Sequence, residues 1–234
     1  MADQPFSLTQ AVFKAAHPDI NVIPVHINAL TERHIAAFIK SRENDFVGVA
    51  GAYGPRCALV AVAFATPTEV LLVRFSSSED AAKRQVTRKN RRRSTLDMLQ
   101  DALLCHSGMQ KLSFNMDRLA TSLFLDQRIR LVQGIDIQSA VGPVSCRQDM
   151  PLVFKALGGK QTLHASNVAK CFGDEKFVDD SKLAIRAWAS YHSMATLFPD
   201  SSLRNFSTVD TKSLDKKVRR SWCTVSFTRL MIQR

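Results

Sequence analysis

Metal or acid–base chemistry would need carboxylates, imidazoles or thiols close together. Two acids two residues apart on a strand share one face and could grip a divalent cation, yet no Asp-x-Glu occurs in the 234 residues. The nearest acid pair, Glu43-Asn44-Asp45, precedes an apolar run and reads as a solvated turn. Asp179-Asp180 reads as the N-cap of a helix. The histidines (17, 26, 34, 106, 164 and 192) have no metal-ligand spacing and read as structural or exposed. The five cysteines, at 57, 105, 146, 171 and 223, form no C-x-x-C and read as reduced thiols. Cys105 and His106 are adjacent, so on a helix they point about 100° apart and form no nucleophile–base pair.

Cationic chemistry is far better represented. There are 32 Lys and Arg against 21 Asp and Glu, a net charge of +11. Such a field favours polyanions, nucleic acid before others. Lys83, Arg84, Arg88, Lys89, Arg91, Arg92 and Arg93 form a run without an acid. This run reads as a phosphate-contacting arm or a nuclear import signal. Lys216, Lys217, Arg219, Arg220 and Trp222 set an aromatic beside cations, the composition of a segment that stacks bases and binds phosphates.

These groups must be carried by elements, and the periodicities suggest which. Residues 20–27, 46–50, 57–66 and 69–75 read as strands; a helix begins at Thr31 with Ile35, Phe38 and Ile39 on one face. Ser94-Thr95-Leu96-Asp97 opens a helix expected to bury Leu96, Leu99, Ala102 and Leu103. A strand at 111–115, a helix at 117–126 and a short extended piece ending at Asp136 follow. Further helices are predicted at 148–157 (stopped by Gly158-Gly159), 163–172 and 180–198, the last capped by Asp180. Antiparallel strands followed by βα units predict an α/β fold, a mixed central β-sheet flanked by helices. The expected organisation is an extension (1–19), a domain (20–199) with a basic insertion (76–93), and a basic tail (200–234) with one strand at 223–227. The N-terminus has no apolar leader, and the longest near-apolar run, residues 57–65, is about half of a bilayer span. The expectation is an intracellular protein, nuclear or cytoplasmic, with no membrane partner.

The stretches INALTERHIAAFIKSRENDFVGVAG, CALVAVAFATPTEVLLVRF, LQDALLCHSGMQKLSFNMDRLATSLF and IDIQSA resemble, in order, the 3′–5′ exonuclease domain of the DEDD superfamily, of the RNase D and Werner type. The resemblance covers roughly residues 20–198 and implies an RNase H-like fold. Those nucleases hold two metal ions about 4 Å apart with four acids. One Asp-x-Glu pair lies on the first core strand, one Asp follows the strand after the second helix, and one Asp lies in the last helix.

Aligned to that pattern, the first pair falls on Ala50 and Ala52, the next acid on or near Leu119, and the last on Ser190. Asp117 stands two residues early, a helical rotation of about 200°. Asp136, in Asp136-Ile137-Gln138, matches a further family acid that is not a metal ligand, and it and Asn115 are expected near the groove. The resemblance thus implies a catalytically inactive domain without a metal cofactor; Mg²⁺ or Mn²⁺ would matter only if activity were retained. Three functions compete: a nucleic-acid adaptor, RNA before DNA; a protein scaffold or homodimerisation module of a nucleoprotein complex; and an active metal-dependent 3′–5′ exonuclease.

Overall fold

A computed structural model describes residues 4–75, 94–142, 149–173, 179–197, 206–212 and 214. The predicted 223–227 strand and both basic clusters lie outside these residues.

The chain runs β1 (Phe6–Leu8), β2 (Ile20–His26), α1 (Glu32–Lys40), β3 (Phe46–Tyr53), β4 (Leu59–Ala65), β5 (Glu69–Arg74), α2 (Thr95–Leu99), β6 (Gln110–Ser113), α3 (Met116–Gln127), β7 (Gly134–Asp136), α4 (Met150–Ala156), α5 (Ala165–Phe172), α6 (Asp180–Leu197) and β8 (Ser207–Val209). The eight strands form one mixed sheet in the order β1-β2-β5-β4-β3-β6-β7-β8. β3, β4 and β5 are an antiparallel meander, whereas β2 joins β5, and β6 joins β3 and β7, in parallel. The fold is therefore α/β, with helices on both faces of a mixed sheet.

Local chemistry explains many boundaries. Thr31 caps α1 in a capping box whose second half is the His34 side chain. Gly158 and Gly159, at φ 103° and 74°, take positive-φ conformations that a Cβ disfavours, and they end α4. The hydroxyl of Thr66 sets the β4–β5 turn, accepting from the Glu69 N–H at 3.2 Å.

The strand expected at 46–50 continues to Tyr53, because pairing with β4 extends through Ala52 and, after a register shift, to Tyr53 opposite Leu59. Its alternation separates two cores. Val47 and Val49 face α1 and α3 together with Leu71, Val73 and Leu123. Ala50 and Ala52 face α6, together with Ala61, Ala63 and Ala65 of β4. α6 is buried on all sides from Leu183 to Tyr191, lying between the sheet and α5. The alanine row and Gly48 let this helix approach the strands closely.

Two expectations need correction. The helix opened by Ser94 turns π-helical over Gln100–Leu104, where Cys105 N–H donates to the Gln100 carbonyl at 2.6 Å. The wider turn changes the phase, so Leu104 is buried while Ala102 is only partly covered; Leu96, one turn earlier, is also only partly covered. Second, Asp179 rather than Asp180 caps α6, accepting from Lys182 N–H at 2.7 Å, and Asp180 pairs with Arg74. The segments read as extension and tail contribute edge strands: β1 pairs antiparallel with β2, and β8 with β7. Among the described residues, no helix is long and apolar enough to cross a membrane.

Candidate functional site

The parallel strands β3 and β6 end on the same side of the sheet, and α6 crosses that end. A cleft opens there, lined by Ala50, Gly51, Tyr53, Ser113, Phe114, Asn115, Leu119, Phe172, Arg186 and Ser190. Three of the four positions marked in the sequence, Ala50, Leu119 and Ser190, thus meet in one place although they lie on β3, α3 and α6. Ala52, the fourth, is 5 % exposed and packs in the core beneath α6 instead of lining the cleft.

Arg186 is the cleft's ionised side chain. It is only 7 % exposed, its Nε donates to the Cys171 carbonyl at 2.6 Å, and its guanidinium lies 5.6 Å from the Phe172 ring centroid. One turn later, the Ser190 hydroxyl donates back to the Arg186 carbonyl at 2.9 Å. That bond is the usual resting place for a buried helical serine. Tyr53 forms one wall, with the Arg118 guanidinium 3.9 Å from its ring centroid. Burial pushes the Tyr53 hydroxyl up to about 12, against the opposing pull of Arg118 and Arg186. Tyr53 is therefore neutral at physiological pH, and the cleft's charge is that of the guanidinium groups.

Asn115 lines the cleft, at the N-cap of α3, where its side chain makes no capping bond. Asp136 does not. It is fully buried, with Oδ2 accepting from Met116 N–H at 3.0 Å and Oδ1 from Gln138 N–H at 3.0 Å. Its carboxylate fastens the start of α3 and the turn after β7, so its role is to support the cleft from behind.

A pair of Mg²⁺ ions demands several carboxylate or carbonyl oxygens. Positions 50, 119 and 190 offer an alanine methyl, a leucine and a serine hydroxyl already turned to a carbonyl, beside a buried guanidinium, and no lining residue carries a carboxylate. This donor set does not fit the two-metal chemistry. Among the described residues, no three His, Cys, Asp or Glu groups come together as a metal would require. Glu43 and Asp45 lie before β3, and Asn44 between them donates to the Tyr191 hydroxyl at 2.8 Å.

Sequence reasoning missed two features. His17, Phe13, Trp188 and His192 form an aromatic quartet that docks the N-terminal segment on α6; His17 and His192 centroids are 4.3 Å apart and Trp188 stacks on His192 at 4.9 Å. No local pattern joins residues so far apart in the chain. Lys111 on β6 is fully buried, its Nζ donating to the His106 carbonyl at 2.8 Å, and burial lowers its pKa to about 8. Its place at an inward position of a short strand was the available signal. No protein-family description matches this chain, and no curated protein matches it.

Proposed function

We propose that this chain is a non-catalytic, RNase H-like exonuclease domain of the DEDD type that serves as a nucleic-acid adaptor, RNA before DNA. One observation carries the reading. Positions 50, 119 and 190, which the resemblance assigns to metal-binding acids, converge on one cleft, and the residues standing there are Ala, Leu and Ser. Convergence of stations from a strand and two helices supports the exonuclease-like architecture. The replaced acids support the loss of hydrolysis, because nothing at those positions can activate a metal-bound water. The net charge of +11 and the two basic clusters supply affinity by counterion release.

The test is equilibrium binding of the full chain to a fluorescent single-stranded RNA at several salt concentrations, with single-stranded DNA as competitor. Log affinity should fall steeply with log salt. Glutamine at the seven cations of residues 83–93 should reduce that slope by about 0.7 for each phosphate that is no longer neutralised. Absence of binding at low salt would overturn the adaptor reading in favour of a protein scaffold or homodimer. Metal-dependent shortening of the RNA 3′ end would instead overturn the assignment of Ala50 and Ala52.

A further inference from the structure

We propose that the groove between α1 and the helix opened by Ser94 is a docking site for a basic amphipathic helix of a partner protein. The groove belongs to the sheet face covered by α1, not the one covered by α6. The inference does not depend on the nucleic-acid reading above.

Shape comes first. The groove has a volume of about 370 Å³. One wall is Glu32, Ile35, Ala36 and Ile39 of α1, spaced i, i+3, i+4 and i+7; the other is Met98, Asp101 and Ala102, spaced i, i+3 and i+4. Each wall is therefore one stripe of one helix. Ile35 is buried, Ile39, Met98 and Ala102 are partly covered and packed on the same core, and Ala36 is exposed. Asp101 and Ala102 sit on the π-helical turn Gln100–Leu104, a distortion found frequently at functional sites.

Backbone comes second. Both walls are helix faces, whose N–H and C=O groups are used within the helices, so an extended peptide finds no edge to pair with. Such a groove grips side chains. The matching ligand is a helix whose apolar anchors recur at i, i+3 or i+4, and i+7.

Charge selects among helices. Glu32 places a carboxylate on one wall and Asp101 on the other, and no Lys or Arg lines the groove. The Asp101 carboxylate also accepts from the Gln100 side chain at 3.3 Å. The chain as a whole carries +11, so this acidic rim stands against a basic background. It disfavours nucleic acid and complements Lys or Arg flanking an apolar stripe. The aliphatic stems of those cations would also cover the apolar floor.

The experiment measures binding of the full chain to two fluorescent synthetic peptides. Both carry leucines at helical i, i+3, i+4 and i+7 spacing, flanked by lysines in one and by glutamates in the other. The lysine-flanked peptide should bind although it and the protein are both cationic. Ala36→Arg sets a long cation in the groove at an exposed position where arginine favours the helix. It should abolish that binding and leave the unfolding midpoint unchanged. Glu32→Lys with Asp101→Lys, both exposed positions, should weaken the lysine-flanked peptide about tenfold, the loss of two surface ion pairs. Failure of the lysine-flanked peptide to bind, or binding that Ala36→Arg leaves intact, overturns the inference. Two other occupants would overturn it as well. A dimer that Ala36→Arg dissociates in sedimentation assigns the groove to a second copy of the chain. Tighter peptide binding once glutamine replaces Lys216, Lys217, Arg219 and Arg220 assigns it to the chain's own residues 215–234.

Discussion

Gly48 on β3 lies directly beneath Ala187 on α6. A Cβ at position 48 would stand 2.0 Å from the Ala187 carbonyl oxygen and 2.6 Å from the Tyr191 nitrogen. Both contacts are with backbone, which cannot rotate away. This approach holds the last helix against the sheet and brings Arg186 and Ser190 to the end of β3. Gly48→Ala should therefore cost about 3 kcal/mol or more through overpacking. Urea unfolding should show a lower midpoint with an unchanged m-value, and a near-neutral result would refute the close packing.

Asp136 should behave as a structural acid. Asp136→Ala removes an anionic acceptor from two backbone N–H groups at a fully buried position. The expected loss is about 3 kcal/mol. Folded variant protein should still bind RNA with the wild-type salt slope; a selective loss of binding at unchanged stability would put Asp136 back in the groove.

Lys111 predicts an alkaline gain in stability. Its folded pKa is lowered by burial from 10.5 to about 8. Between these values the unfolded chain binds more protons than the folded one, so stability rises with pH across that window. Lys111→Met fills a similar volume without the charge and should flatten the rise. Chemical denaturation at pH values of about 8 and 10, the two ends of that window, checks it.

The aromatic quartet predicts an acid loss. Burial, reinforced by His17, lowers the His192 pKa from 6.5 to about 4. The folded state prefers neutral His192, so stability is full above 6.5, falls as pH drops and stops responding to this group below about 4. His192→Phe should remove that part of the acid slope. Denaturation midpoints at pH values of about 7, 5.5 and 4.5 would reveal an unchanged slope if the quartet is not as described.

What the amino-acid order determined by itself was local. Thr31 with His34, Thr66 at the turn, and Gly158-Gly159 act within a few residues, where capping and backbone preference need no distant partner. The alternation of β3 and the absence of a carboxylate at positions 50, 52 and 190 were equally readable. The tertiary structure decided the rest. Positions 50, 119 and 190 meet because β6 pairs beside β3 and α6 crosses their ends, an arrangement set by contacts between residues far apart in sequence. Residue type alone could not tell that Arg186 would be buried, that Asp136 would lie behind the cleft, or that Phe6–Leu8 and Ser207–Val209 would close the sheet's edges. Burial depends on what the rest of the chain brings alongside.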